Sequence, residues 1–343
     1  MPVTVHFGLP EAQSNTLQKV FASVEGMTYL GHGVTPELDQ ANLAMGRPAG
    51  WEPAKVKPTF EAAIAAGGAR PALLSRPTLA TWRASAPRFI GGQLGDLFDR
   101  PKLLFVTRRA VPWAYDYFFT RLALLRTDAM AGLNPWIEKH MSQLRVGSDL
   151  AQVKFTQTVQ EIAEKAGSEQ VLVLPCEMLE LDPAQFLGRV DEFVGLGGAL
   201  TAKADGLELI PDNTVSLEYA DAIRALRLIR RQRIQFLKIM AVFAERAHKP
   251  ARARFVELRD DPYSDINEWV AWFRTARGPI HRAIKNGDEE LLAIIPANDD
   301  YEMRDGLAAY LDEIEAEEVD SVREAFGIDL REWGYAPEPE PEA

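Results

Sequence analysis

The sequence predicts an α/β fold: a parallel, P-loop-like sheet in a three-layer arrangement, helices on both faces, and extra helices toward the C-terminus. Three observations lead there. Short apolar runs of strand length, VTVHF, ALLS, KLLFVT and QVLVL, alternate with stretches of helical spacing. Such alternation is what a mostly parallel sheet covered by helices requires. The 343 residues are 47% hydrophobic and 26% charged, an ordinary balance for a globular chain with a sizeable core. The last third is dominated by helical patterns, around Leu217–His248 and Met303–Phe326.

In order along the chain, Val3–Phe7 reads as a strand, Gly8–Ser14 as a loop, and about Asn15–Val24 as a helix. Leu17, Val20, Phe21 and Val24 recur at helical spacing there, with Ser14 or Asn15 as the cap. Residues 46–58, rich in proline and glycine, read as loop, and Phe60–Ala66 as a helix ended by GGARP. Ala72–Ser75 is a short strand, and Thr78–Ala84 a short helix. Lys102–Thr107 is the clearest strand; the helix after it, VPWAYDYFFTRLALL, carries its proline in the first turn, where proline is tolerated. Residues 151–166 read as helix and Gln170–Leu174 as a strand. Pro183–Val194 is an amphipathic helix ending at Gly195. Residues 250–300 are polar and unassigned, and the tail PEPEPEA is expected to be disordered. No internal repeat is found. The expected organisation is one domain over 1–335, with 250–300 as an insertion and 336–343 as an acidic tail.

Charge narrows the function classes. Lysine plus arginine number 38 against 50 aspartates and glutamates, a net charge of −12. Bulk charge therefore does not draw this chain to nucleic acid or to an anionic membrane, and any anion site is a local basic pocket. The single cysteine, Cys176 in VLVLPCEM, excludes a disulfide framework within the chain and argues against a cysteine-built zinc site; it reads as a packed thiol, and no metal is expected. MPVTVHFGLP lacks the basic start and long apolar core of a secretory signal, and no stretch reaches the ~18 apolar residues of a membrane span. A cytoplasmic protein is expected.

Two segments could carry chemistry. FGLPEAQSNTLQ runs from a strand through a tight loop into a helix start, where backbone N–H groups and the helix dipole favour an anion. The Gly-Lys-Ser/Thr of a nucleotide triphosphatase loop is absent. VTRRAVPWAYDYF ends a strand in two arginines, the residue suited to bidentate phosphate contacts. In a parallel sheet the loops after Phe7, Ser75 and Thr107 should lie together at the strands' carboxyl ends. A capped βα turn and a surface ion pair are the plain alternatives.

Taken together these segments resemble the sulfotransferase superfamily. Its first loop reads roughly Gly-x-Pro-Lys-Ser/Thr-Gly-Thr-Thr/Ser, then Leu-Gln; this chain has Gly8, Leu9, Pro10, Glu11, Ala12, Gln13, Ser14, Asn15, Thr16, Leu17 and Gln18 in that frame. The family's strand-end arginine is matched by Arg108, and Asp116 stands where its serine is expected, followed by the fitting aromatic pair Tyr117 and Phe118. ALLSRPTLATW, VLVLPCEMLELDPAQFLGRVDEFVGL, Asn213 with Ser216, and VREAFGIDLREWGY resemble further segments in family order. The resemblance implies the sulfotransferase fold and transfer of a sulfuryl group from 3′-phosphoadenosine-5′-phosphosulfate to a hydroxyl or amine of a small-molecule or glycan acceptor. By the same token Gly8, Pro10, Ser14, Asn15 and Thr16 would hold the donor's 5′ side, and Arg108 with Asp116 its 3′-phosphate.

The departures matter as much. The family lysine neutralises the leaving phosphate, and Glu11 reverses that sign. A charge pair about 4 Å apart is worth roughly 4 kcal/mol at an effective dielectric near 20, so the change costs about three decades of rate or more. Gln13 replaces a glycine, and Asp116 adds repulsion near a 3′-phosphate. Lys19 or Arg109 could replace the missing charge, or a divalent cation could bridge Glu11 and Asp116. His32, in the glycine-flanked LGHG, is the candidate general base ahead of His6 and Glu61. Two readings stay open: a sulfuryl transferase, and a non-catalytic member that binds a ligand or partner. The arginines Arg224, Arg227, Arg230, Arg231 and Arg233 read as a solvated face or a lip for an anionic acceptor. Trp82, Trp113, Trp136, Trp269 and Trp272 read as core or cleft wall, and Asp312–Asp320 as a wet helix face.

Overall fold

The apolar runs of the first half pair edge to edge into one parallel sheet. The computed structural model describes residues 3–45, 51–80, 86–126, 128–141, 152–210, 216–230, 232–261, 263–296 and 301–336. Its strands are β1 (Val3–Gly8), β2 (Thr28–Tyr29), β3 (Ala72–Ser75), β4 (Lys102–Thr107) and β5 (Val171–Pro175), in the order β2-β3-β1-β4-β5. Val5 lies opposite Leu74 and Leu103, and Phe7 opposite Phe105. All of these side chains are buried, as a sheet flanked by helices demands. The connection after β1 leads toward the β2 edge, and that after β4 toward β5. The switch therefore falls between β1 and β4, where open α/β sheets bind ligands outside their strands' carboxyl ends.

Contacts divide the chain into two units: 1–114 with 140–212 and 305–343, and 115–139 with 213–304. In the first unit, the helix Pro53–Gly67 begins inside the stretch expected to be loop. Pro53 occupies the first helical turn, where its missing N–H costs nothing, so proline content there was a start signal. Residues 46–50 of that stretch lie outside the described residues. Helix one runs Ser14–Ala22, and its N-cap is Gln13 rather than Ser14 or Asn15. The segment expected as a helix over Thr78–Ala84 is a 3-10 turn over Pro77–Ala80; residues 81–85, with Trp82, are outside the described set.

Two helices of this unit had no clear sequence signal. Pro36–Ala44 is capped by Thr35, whose hydroxyl accepts from the Leu38 N–H at 3.2 Å. Ala86–Leu97 carries Gly91, Gly92 and Gly95, which weaken a helix on propensity alone. Those glycines serve packing against the helix Thr156–Ala166. A Cβ on Gly91 would stand 2.6 Å from the Lys165 Cβ and 2.7 Å from the Ile162 carbonyl. The helix Pro183–Val194 matches its expected span, with Gly195 left-handed just after it.

The helix Asp305–Phe326 overturns one expectation. Its acidic stretch is not a wholly wet face: Glu315 and Glu318 are buried beside Leu311, Ile314, Val319 and Val322. Each carboxylate is pulled inside by backbone donors of another helix start. The acidic tail expected at 336–343 falls outside the described residues from 337 onward.

The second unit is helical in its described residues. Residues 250–300, unassigned from sequence, contribute Lys249–Asp260, Ile266–Lys285 and Glu289–Ile294. Asp265 and Glu268 close a capping box at the start of the second of these. Trp269 packs edge-on against Phe236 at 4.8 Å, and its indole N–H donates to Ser264 Oγ at 3.1 Å. The Trp272 indole donates to the Ala251 carbonyl at 2.8 Å. The tryptophans Trp113, Trp136, Trp269 and Trp272 are all core residues of their units. The helical run from Leu217 is broken by a 3-10 turn over Ala225–Arg230. On it, Arg224 lies over the Tyr301 ring, and Arg233 donates to the Asp261 carbonyl at 2.7 Å. Arg231, the side chains of Arg227 and Arg230, and Asn213 are outside the described set. Among the described residues no helix is long and apolar enough to cross a membrane.

Candidate functional site

Gly8 ends β1 in close approach to β4. A Cβ there would lie 2.4 Å from the Val106 carbonyl oxygen, so glycine is required by proximity rather than by the turn. The Leu9 N–H then donates to that carbonyl at 2.9 Å. Beyond Pro10 the loop adopts two left-handed residues, Glu11 (φ 61) and Gln13 (φ 58). Each costs about 1 kcal/mol or more for a residue with a Cβ, and persists where its surroundings hold it. Gln13 is held by its side chain: Nε2 donates to Glu180 Oε1 at 2.8 Å, and Oε1 accepts from the Thr16 hydroxyl at 2.9 Å. Thr16 Oγ1 in turn accepts from the Ile210 N–H at 2.8 Å. Thr16, expected to face a phosphate, is buried and binds the loop to the 210 segment.

The end of β4 meets this loop. The Arg108 guanidinium donates to the Glu11 carbonyl. The next two N–H groups start the helix Ala110–Ala123, a position that favours anions. Both already have them. Arg109 N–H donates to Glu177 Oε1 at 2.9 Å, and Ala110 N–H to Glu315 Oε2. Glu315 Oε1 also accepts from the Ala336 N–H at 3.1 Å and stands 3.5 Å from Arg109 Nε. The Tyr335 hydroxyl donates to Glu177 Oε2 at 2.8 Å. Burial pushes the Glu177 and Glu315 carboxyls above the usual carboxylate range, against the pull of these backbone N–H groups. Cys176 beside them is fully buried, and burial raises its thiol well above the ordinary value.

A cavity of about 310 Å³ opens on the other side of the loop. Pro10, Glu11, Ser14, Asn15 and Gln18 form one wall, and His32, Arg76 and Pro77 the other. Arg76 follows β3 directly, is 8% exposed, and anchors its backbone N–H on the His6 carbonyl at 2.8 Å. Sequence reading missed it, although an arginine at a strand's carboxyl end was the very signal used for Arg108. His32 Nδ1 lies 3.2 Å from Asp39 Oδ1, which also accepts from the Gly33 N–H at 2.8 Å. The Gly33 N–H, and then His32, hold the Asp39 carboxyl below its usual value. A larger cavity, about 580 Å³, opens beside Val3, Lys102 and Gln170 at the strands' amino ends. The parallel sheet directs its helix starts and strand-end loops to the opposite end, so the smaller cavity is the candidate site.

The other expected residues fall as follows. His6 is packed, with Nδ1 2.8 Å from Ser75 Oγ and its ring edge-on to Phe21; burial pushes it down to about 3. Lys19 and Glu61 are exposed and outside the cavity wall. Arg109 is committed to Glu315. Asp116 is half-buried on the helix Ala110–Ala123, in the second unit. Among the described residues, no group of three or more His, Cys, Asp or Glu side chains could hold a metal ion.

No protein-family model and no curated protein matches this sequence. Among solved structures, the chain is similar to a sulfotransferase from Alicyclobacillus acidocaldarius, at 15% identity and a TM-score of 0.41, over 68% of this chain and 95% of that one. It is also similar to the sulfotransferase domain from the curacin biosynthetic pathway, at 14% identity and a TM-score of 0.38, over 64% of this chain and 82% of that one. What the site does follows from its own residues.

Proposed function

We propose that this chain is a ligand-binding protein whose first βα loop, with Arg76 and His32, takes a small polar molecule, and that it does not use a nucleotide sulfate donor. One observation carries the reading. The anion positions at the end of β4 are filled from within: Glu177 on the Arg109 N–H, Glu315 on the Ala110 N–H, and Arg108 turned to the Glu11 carbonyl. A 3′-phosphate would have to displace carboxylates, that of Glu315 buried, that already satisfy those donors. At the 5′ side, Glu11 stands where the family resemblance puts a cation. A thermal-shift titration with adenosine 3′,5′-bisphosphate, with and without magnesium, tests this. The expected outcome is no shift at millimolar nucleotide. A rise that grows with concentration, about 2.7 kcal/mol of added stability at a hundred times Kd, would overturn it.

A second reading, sulfuryl transfer, is favoured by His32, bonded to Asp39, lining the cavity with Ser14, Asn15 and Arg76. In it the acceptor's oxygen or nitrogen attacks sulfur, its proton passes to His32, and the sulfur–oxygen bond to the donor phosphate breaks toward Arg76. This reading requires the nucleotide shift just described. It also requires sulfate transfer from 3′-phosphoadenosine-5′-phosphosulfate that falls at least a hundredfold in His32→Gln.

A further inference from the structure

The segment after the helix Asp305–Phe326 folds back over the first unit as a short strap. It turns at Gly327 (φ 70), makes a 3-10 turn over Leu330–Trp333, and turns again at Gly334 (φ 81). Leu330 and Tyr335 anchor it by burial. Its end is tied to two carboxylates: the Tyr335 hydroxyl donates to Glu177 Oε2 at 2.8 Å, and the Ala336 N–H to Glu315 Oε1 at 3.1 Å. The other oxygen of each carboxylate accepts from the start of the helix Ala110–Ala123. Glu177 Oε1 takes the Arg109 N–H at 2.9 Å, and Glu315 Oε2 takes the Ala110 N–H. Each glutamate therefore bridges the strap to that helix start. One residue earlier, Arg108 shares a void of about 10 Å³ with Leu330, Tyr335 and Glu315, and donates to the Glu11 carbonyl. Glu11 in turn belongs to the wall of the loop cavity.

We infer that the strap Leu330–Ala336 is a conformational latch on the loop cavity: seated, it fixes the loop at Glu11 through Glu177, Glu315 and Arg108; lifted, it lets the loop relax. The reading of the cavity as a ligand site gives the latch its purpose, while the contacts themselves involve no ligand. Lifting the strap takes one hydrogen bond from each bridging carboxylate and admits water, which competes with the Arg109 and Ala110 N–H groups. It also strips Arg108 of the packing around a void at the lower limit for a single water. Glu11 keeps a left-handed backbone (φ 61), strained by about 1 kcal/mol or more, and would lose the arginine contact that opposes the strain. Two features poise the strap to move. Left-handed glycines at both its turns absorb a backbone change without steric cost, and Ala336 is itself held at φ 37, which a residue with a Cβ adopts only under constraint.

Hydrogen exchange followed by mass spectrometry reads the latch directly. Three full-length chains are compared: the unsubstituted protein, the double variant Tyr335→Ala with Ala336→Pro, which removes both strap donors, and Tyr335→Phe, which removes the hydroxyl alone. Far-ultraviolet circular dichroism verifies that each is folded. In the double variant, peptides covering Leu9–Leu17 and Arg109–Trp113 should exchange at least about tenfold faster, with the helix Pro53–Gly67 unchanged. Tyr335→Phe should move the same two regions by a smaller factor. Faster exchange confined to the strap overturns the inference. So does an equal increase in all regions, which is the signature of a strap that merely stabilises the fold. Should the double variant fail to fold, Tyr335→Phe decides: faster exchange in both regions supports the latch, and no change at Leu9–Leu17 overturns it. Because no ligand enters the measurement, failure of the latch leaves the ligand-site reading standing, and that reading fails only in its own titration.

Discussion

Gln13 keeps a left-handed backbone at a position where glycine would adopt it freely, and its amide explains why it is tolerated. The hydrogen bonds to Glu180 and from Thr16 hold it there. Gln13→Ala keeps the strain and loses both bonds; Gln13→Gly loses the bonds and relieves the strain. Denaturant titration should rank stability as wild type above Gln13→Gly above Gln13→Ala, with about 1 kcal/mol between the two variants. His6 gives a pH prediction. Its folded value of about 3 lies below the ordinary 6.5 of a solvated histidine, so between those pH values the unfolded chain binds a proton that the folded chain refuses. Stability contributed by His6 is full above pH 6.5 and is lost as pH falls to 3, at a slope approaching ~1.4 kcal/mol per pH unit. Melting curves of His6→Phe across that window should be flatter than those of the wild type; an unchanged slope would place the effect elsewhere. At this scale the places of Glu11 in the first loop and of Arg108 at the end of β4 were legible, because the strands before them are marked by local apolar runs. The place of Arg76 in the cavity wall was not, because it depends on β3 lying next to β1.

The helix Asp305–Phe326 illustrates the limit of reading an element alone. Its acids look solvated in sequence, yet Glu315 satisfies Ala110 and Ala336, and Glu318 accepts from the Thr156 N–H at the start of another helix. Glu315→Ala should cost about 2–4 kcal/mol, since it strands two backbone donors and the Arg109 guanidinium. Glu317→Ala, on the exposed side of the same turn and paired with the exposed Lys154, should change stability by less than ~0.5 kcal/mol. Chemical denaturation of the two variants side by side checks the contrast. Gly91→Ala should destabilise by about 1–3 kcal/mol despite the better helix propensity of alanine, because the Ile162 carbonyl occupies the space. A gain in stability would mean that the two helices can part at no cost. The glycines concealed that helix in the sequence for the reason that makes it pack.

Across the whole molecule, a net charge of −12 surrounds a cavity with one arginine in its wall. Approach of an anionic probe is opposed by the long-range field, and salt removes that opposition as the screening length falls from ~30 Å at 0.01 M to ~8 Å at 0.15 M. Association of a small anion such as sulfate with the cavity should therefore be faster at the higher ionic strength, which stopped-flow mixing over that range measures. The sequence by itself determined the alternation of strands and helices, the parallel sheet, and the first loop with its glutamate. Those rest on local periodicity and on residue chemistry that neighbours do not alter. Tertiary structure alone decided where the charges go. Which carboxylate fills a helix start, which arginine turns to a loop carbonyl and which lines the cavity are set by contacts between segments up to about two hundred residues apart, such as Ala110 with Glu315. Burial energies act on those contacts, and no pattern within a single segment encodes them.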